Sequence, residues 1–195
     1  MVSIKDLRRQ STKRRHDPIY AFIDYLAYYP AKFFIKTPIT PNQITFFWIL
    51  GQIVAALFVA SGNRTTMIVS LFIFQAFFII DCTDGIVARF KKKYSFNGDY
   101  LDIFGHYIAN STLLICLSIG IYRRFHEPIH LLIGACAVLF FLLNKAITLN
   151  PVWYSNAKQR HHITEISRST LLHNQNSIYL SLFALFRLEY LFNFM

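Results

Sequence analysis

Asp81, Asp84, Asp99 and Asp102 are four of the ten acidic residues in this 195-residue chain, and all lie in a short stretch ending at His106. Carboxylates and an imidazole at that density suit two kinds of chemistry: holding a cation and moving a proton. Their setting is apolar. The run Met67–Ile80 leads into Asp81, and a second begins at Ile108. Arg89 and the cluster Lys91-Lys92-Lys93 follow the first pair of carboxylates, as at a membrane helix reaching a basic aqueous edge.

Helical spacing turns these residues into a site. Asp81 precedes Arg89 by eight residues and Gly98 precedes His106 by eight, so each step covers roughly 12 Å of helix at about 1.5 Å per residue. With a bend over 90–97 and two antiparallel helices, Asp81 comes level with His106 and Asp84 with Asp102. Asp81, Asp84 and Ala88 share one face, and Asp99, Asp102 and His106 share the facing one.

Such a site needs a counter-charge. A carboxylate near the centre of a membrane helix costs about 2.5–3.5 kcal/mol even on the lenient insertion scale. Three of them left alone would rival the net stability of a small protein, about 5–15 kcal/mol. Arg89 can neutralise one at most. An all-oxygen cluster suits a hard divalent ion, Mg²⁺ or Mn²⁺, with water and substrate phosphates completing the shell. The competing reading is a buried ion-pair network, which the placement of the other basic residues at helix ends disfavours.

The pattern D-x2-D-G-x2-A-R-x8-G-x3-D-x3-D, here Asp81, Asp84, Gly85, Ala88, Arg89, Gly98 and Asp102, resembles the CDP-alcohol phosphotransferases. The last position departs from that family: His106 stands where it has Asp. The resemblance implies attack of an acceptor alcohol on the β-phosphorus of a CDP-linked donor, with release of CMP. It implies Asp81, Asp84 and Asp102 as metal ligands, Gly85 and Ala88 as room for the nucleotide, Arg89 as partner of the donor phosphate, and Gly98 as part of the binding region. Close helix packing is the other use of such small residues. The position of His106 is that of the general base, and often of a second metal ligand. An imidazole can take a proton but brings no negative charge. Three readings follow: a His106 base, reliance on Asp99, or a weakened homologue.

Composition agrees with a membrane setting. The chain is 54% hydrophobic and 17% aromatic with only 15% charged residues, so its net charge of +10 is not spread over a soluble surface. Nucleic acid is not the expected partner; basic loops at a membrane edge are. Cys82, Cys116 and Cys136 lie in apolar runs and read as small hydrophobes rather than a disulfide set.

The expected fold is all-α, a polytopic membrane helix bundle with an N-terminal interfacial amphipathic helix. Residues 1–16 form a basic cytoplasmic tail, and 17–37 the interfacial helix. Ile19, Phe22, Leu26, Tyr29 and Phe33 give that helix its apolar side, and Pro30 is expected to kink or split it. Residues 38–195 are the membrane transferase domain. Thr40 and Pro41 start its first span, through Phe46–Ala60, and Thr40-Pro41-Asn42 to Thr45 is also similar to the family's opening of that helix. Further spans are expected at about 65–90, 98–121 and 128–149, with a polar loop at 152–175. A fifth apolar run covers 177–195, one span fewer than the six typical of the family, so a sixth helix is either absent from this chain or replaced by a shorter variant.

With the N-terminus inside, basic residues divide sixteen against three in favour of that side, which puts the acidic site on the cytoplasmic face. A bacterial-type inner membrane is the expected location. Asn144 and Lys145, near the end of the fourth span, are auxiliary candidates, though a lysine there is equally an ordinary interface anchor. The activity expected from the resemblance is phosphatidyl transfer from CDP-diacylglycerol to a small polar alcohol in phospholipid biosynthesis, with membrane lipids as partners and a homodimer left open. A catalytically dead partner subunit and a divalent-cation carrier are the alternatives from other classes.

Overall fold

A computed structural model of the protein describes Ile4, Leu7 and residues 18–93 and 96–149. Five helices follow one another: α1 (Pro18–Ile35), α2 (Pro41–Val59), α3 (Arg64–Lys91), α4 (Phe96–Phe125) and α5 (Ile129–Leu149). Among the described residues there is no strand. Among the described residues, four stretches are long and apolar enough to cross a membrane: Pro41–Val59, Arg64–Lys91, Gly98–Phe125 and Ile129–Ala146. The chain is an all-α integral membrane protein. The fifth apolar run and the polar loop before it fall outside the described residues, as does most of the basic tail.

The helix ends follow from local chemistry. At the start of α2, the Gln43 amide donates to Thr40 Oγ1 while Gln43 Oε1 accepts from the Thr40 amide at 2.9 Å, a reciprocal capping box with Pro41 at the first helical position. Asn63 caps α3 by accepting from the Thr66 amide. α3 stops where Lys92 enters the left-handed region, at φ 53°, and the Lys93 amide donates back to the Ala88 carbonyl. The bend expected between the two acidic helices is therefore a capped turn ahead of Phe96.

Packing divides the chain into two units, the first made of residues up to Ala56 and Phe72–Ala109, the second of Leu57–Leu71 and Asn110 onward. In the first, Ile44, Trp48 and Ile49 of α2 are buried, as are Phe74, Phe78, Ile86 and Val87 of α3. Gly105 of α4 lets α2 approach, since a Cβ there would run into Ile49 and Trp48. In the second, Val59, Met67, Leu71, Leu113 and Cys116 are buried, and Gly120 allows equally close contact with the Val59 backbone. With lipid as the solvent, such contacts act through dispersion and close approach rather than through loss of water. Phe46, Phe47, Leu50 and Phe58 of α2 and Leu132, Ile133 and Phe140 of α5 are exposed. These side chains suit a hydrocarbon surrounding.

α1 is attached to α3 by polar contacts. Thr83 Oγ1, fully buried, lies 3.3 Å from the Ala27 carbonyl, and Lys91 Nζ donates to the carbonyls of Phe34, Thr37 and Ile39 at 2.9–3.1 Å. The Lys91 ammonium thus binds the last turn of α1 and the segment that follows it to the end of α3. The helix runs unbroken through Pro30, so the expected split does not occur. Ala27, Tyr28 and Ala31 form its buried side, while Phe22, Tyr25, Tyr29 and Phe33 are exposed.

Lys91→Met keeps the aliphatic stem and removes three charge-assisted hydrogen bonds. It should weaken the attachment of α1 by on the order of 2 kcal/mol. Hydrogen exchange resolved along the chain should then show faster exchange across Pro18–Ile35 with α2 little changed.

Candidate functional site

The carboxylates and the imidazole come from one turn-connected helix pair. α3 supplies Asp81 and Asp84 and α4 supplies Asp102 and His106, all in the first unit. His106 Nε2 lies 3.7 Å from Asp81 Oδ2 and 3.8 Å from Asp102 Oδ1. Among the described residues these three form a group whose ligand atoms all fall within 4.8 Å of one another. Asp81 and His106 are buried. The Asp102 side chain is 37% accessible, yet its Oδ1 is buried with no hydrogen-bond partner among the described residues.

Those separations fit a shared cation. They exceed hydrogen-bond length, which seldom passes about 3.2 Å. Two ligands on one ion at about 2.1 Å stand roughly 3.0–4.2 Å apart, and both distances lie in that range. Two carboxylate oxygens suit a small divalent ion, and the imidazole nitrogen beside them can complete its ligand set or take a proton, but not both at once. The buried Oδ1 of Asp102 is a polar atom that such an ion would satisfy.

Asp84 is held differently. Its Oδ2 accepts from Thr45 Oγ1 at 2.5 Å and from Trp48 Nε1 at 3.2 Å, both on α2. The Thr45 hydroxyl has one proton and two acceptors in reach, the other being the Pro41 carbonyl at 3.1 Å; the shorter bond to the charged oxygen takes it. Asp84 stands outside the group of three.

The glycines differ in what stands against them. A Cβ on Gly51, Gly105, Gly120 or Gly134 would meet another helix first, whereas the atoms nearest one on Gly85 belong to the Arg89 guanidinium, with Nη1 at 3.2 Å. Arg89 therefore lies back along α3 over Gly85. Ala88 and Arg89 are half-buried, as is Gly98. Asp99 is exposed in the first turn of α4, apart from the group of three. Asn144 is half-buried and Lys145 buried in the second unit, the Lys145 ammonium 6.0 Å from the Phe141 ring.

Trp48 is the residue that the motif did not reveal. Its signal is in α2, where Thr45, Trp48 and Gln52 stand at i, i+3 and i+7, a polar stripe through an otherwise apolar span. Gln52 extends that stripe with a bond to the Phe74 carbonyl, which leaves Thr45 and Trp48 as the pair directed at Asp84.

Two carboxylates and an imidazole thus converge between membrane helices in a group that could hold a metal ion, with Arg89 lying over Gly85 on the helix that supplies Asp81. Residues 38–188 match the family model of CDP-alcohol phosphatidyltransferases, and the chain belongs to that family. Its members transfer a phosphatidyl group from a CDP-alcohol and depend on divalent metal. A comparison with curated proteins gives no match.

The glycine contrast yields a two-part expectation. Gly85→Ala should keep or slightly raise thermal stability, since alanine favours a helix by about 1 kcal/mol over glycine. It should nonetheless raise the KM for a CDP-linked donor. Gly105→Ala should instead destabilise the fold by about 1–3 kcal/mol through overpacking. Thermal unfolding in detergent beside donor titrations checks both halves.

Proposed function

We propose that the protein transfers a phosphatidyl group from CDP-diacylglycerol to the hydroxyl of a small polar alcohol, releasing CMP. The observation that carries this reading is the Arg89 guanidinium lying over Gly85 on α3, the helix that also brings Asp81 to the group with Asp102 and His106. A cation pathway has no use for a glycine with an arginine over it; a nucleotide pyrophosphate uses both.

In this reading Asp81, Asp84 and Asp102 hold a Mg²⁺ or Mn²⁺ ion. The ion, when bound, neutralises the pyrophosphate and stabilises charge on the departing CMP. Arg89 pairs with the donor phosphate through its planar fork, and Gly85 and Ala88 let the nucleotide lie against α3. His106 Nε2 takes the proton of the acceptor hydroxyl as its oxygen bonds to the β-phosphorus. The bond from that phosphorus to the bridging oxygen breaks, and the electron pair leaves with CMP. Asp99, exposed at the start of α4, is less suited to be the base. Gly98, at the beginning of α4, belongs to the donor-binding region in this reading.

The site and the N-terminus face the cytoplasm of a bacterial-type inner membrane in this proposal. The sixteen-to-three division of basic residues supports that orientation. α1 then lies at the headgroup level, which its exposed Phe22, Tyr25, Tyr29 and Phe33 favour.

Labelled CDP-diacylglycerol offered with a pool of polar alcohols should yield CMP and a new phospholipid, identified by mass. Excess chelator should abolish turnover, and Mg²⁺ or Mn²⁺ should restore it. Asp81→Asn or Asp102→Asn should remove activity while the protein stays folded. Full turnover in chelator would sink the metal site.

His106 gives a separate expectation. His106→Ala should be nearly inactive, the loss on the order of 10²–10⁴-fold for a missing general base. His106→Asp, which supplies another proton acceptor and an added negative charge, should recover turnover. Equal rates for all three proteins would remove His106 from the chemistry.

A further inference from the structure

Trp48 touches both halves of the acidic site at once. Its indole Nε1 donates to Asp84 Oδ2 on α3, and its ring lies 4.9 Å from the His106 imidazole on α4, the two planes inclined by 35°. The side chain is fully buried. Gly105, the residue before His106, makes room for it, because a Cβ there would meet the far edge of the indole. The tryptophan is therefore anchored on three sides: by a polar bond, by a ring contact and by a backbone left bare beside it.

Each contact restricts a different freedom. A carboxylate rotates easily about its terminal bond, and an aspartate facing a cation can present one oxygen or both. With Thr45 and Trp48 both donating to Oδ2, that oxygen of Asp84 is committed to α2, and the carboxylate plane is set before any ligand arrives. The imidazole of His106 could likewise turn about its own bond to the ring. The indole against its face limits that turn and keeps Nε2 toward Asp81 and Asp102, where it lies 3.7 and 3.8 Å from their oxygens.

We propose that Trp48 is a positioning residue for phosphatidyl transfer: by bonding Asp84 and stacking on His106 it fixes the relative orientation of a metal-binding carboxylate and the proton-accepting imidazole. The proposal rests on the transferase reading given above. It differs from a role in packing alone, because the two contacts are separable. Phenylalanine retains a ring against His106 and lacks the N–H, whereas leucine lacks both.

Mn²⁺ binding to the purified full chain, measured from loss of the free-ion EPR signal, reads the Asp84 contact without any need for turnover. CMP release at saturating Mn²⁺ reads the His106 contact. Trp48→Phe should bind Mn²⁺ about tenfold more weakly, with kcat at saturating ion largely kept, since residues that orient metal ligands typically change affinity by 10–100-fold. Trp48→Leu should show the same weakening together with a fall in kcat. If the leucine variant does not fold, the phenylalanine variant alone decides. Unchanged Mn²⁺ affinity and kcat in Trp48→Phe, with only a lowered thermal midpoint, would overturn the proposal and leave Trp48 a packing residue. Failure of the unmodified protein to bind Mn²⁺ would overturn it as well. Weakened Mn²⁺ binding by Trp48→Phe, in a protein that turns over no CDP-linked donor, would support the Asp84 contact while removing the transferase reading.

Discussion

Carboxylates gathered between apolar helices are the constraint on which this structure depends. Each is costly in hydrocarbon, and grouping them adds mutual repulsion to the loss of hydration. The fold answers with several different partners. Asp84 receives two donors from α2, Asp81 and Asp102 converge on an imidazole, and the donor set around His106 is shaped for a cation. A protein built only for stability would place aliphatic side chains here. Retaining the acids makes sense where their charge is used.

The same constraint explains what surrounds the site. A carboxylate can bind and orient a phosphate-bearing ligand through a cation only if its helix holds still. α3 is held on one side by α2, through Thr45 and Trp48, and on another by α1, through Thr83 and Lys91. Lys91 is instructive because its position in a run of lysines suggests nothing beyond a basic edge. Its ammonium instead binds the end of α1 to the end of the acidic helix. One charge ties two helices together.

The glycines do not all serve that rigidity. Where helices are to stay together, glycine brings backbones into contact, as at Gly105 and Gly120. At Gly85 the nearest neighbour is instead the Arg89 side chain of the same helix. Arg89 covers that glycine with a long, charged arm of its own helix rather than a side chain packed from another.

Much of this was legible in the sequence, for a definite reason. Helical periodicity within one chain segment is a local property, so the shared faces of Asp81 with Asp84 and of Asp102 with His106 follow from spacing alone. Equal eight-residue arms on either side of a short turn then bring Asp81 level with His106, and the structure has them in contact. Span positions were equally local, since length and hydropathy decide them, and the caps at Thr40 and Pro41 were readable from residue type. Of the two effects expected of Pro30, a kink or a split, the split does not occur, since the helix runs on from Pro18 to Ile35. Only the tertiary structure could tell Gly85 from Gly105, which are alike on paper and differ solely in which helix stands opposite. It alone could also bring Trp48, more than thirty residues from Asp84, onto that carboxylate and against His106. Contacts between helices depend on crossing and rotation, which side-chain packing decides and a one-dimensional pattern does not encode.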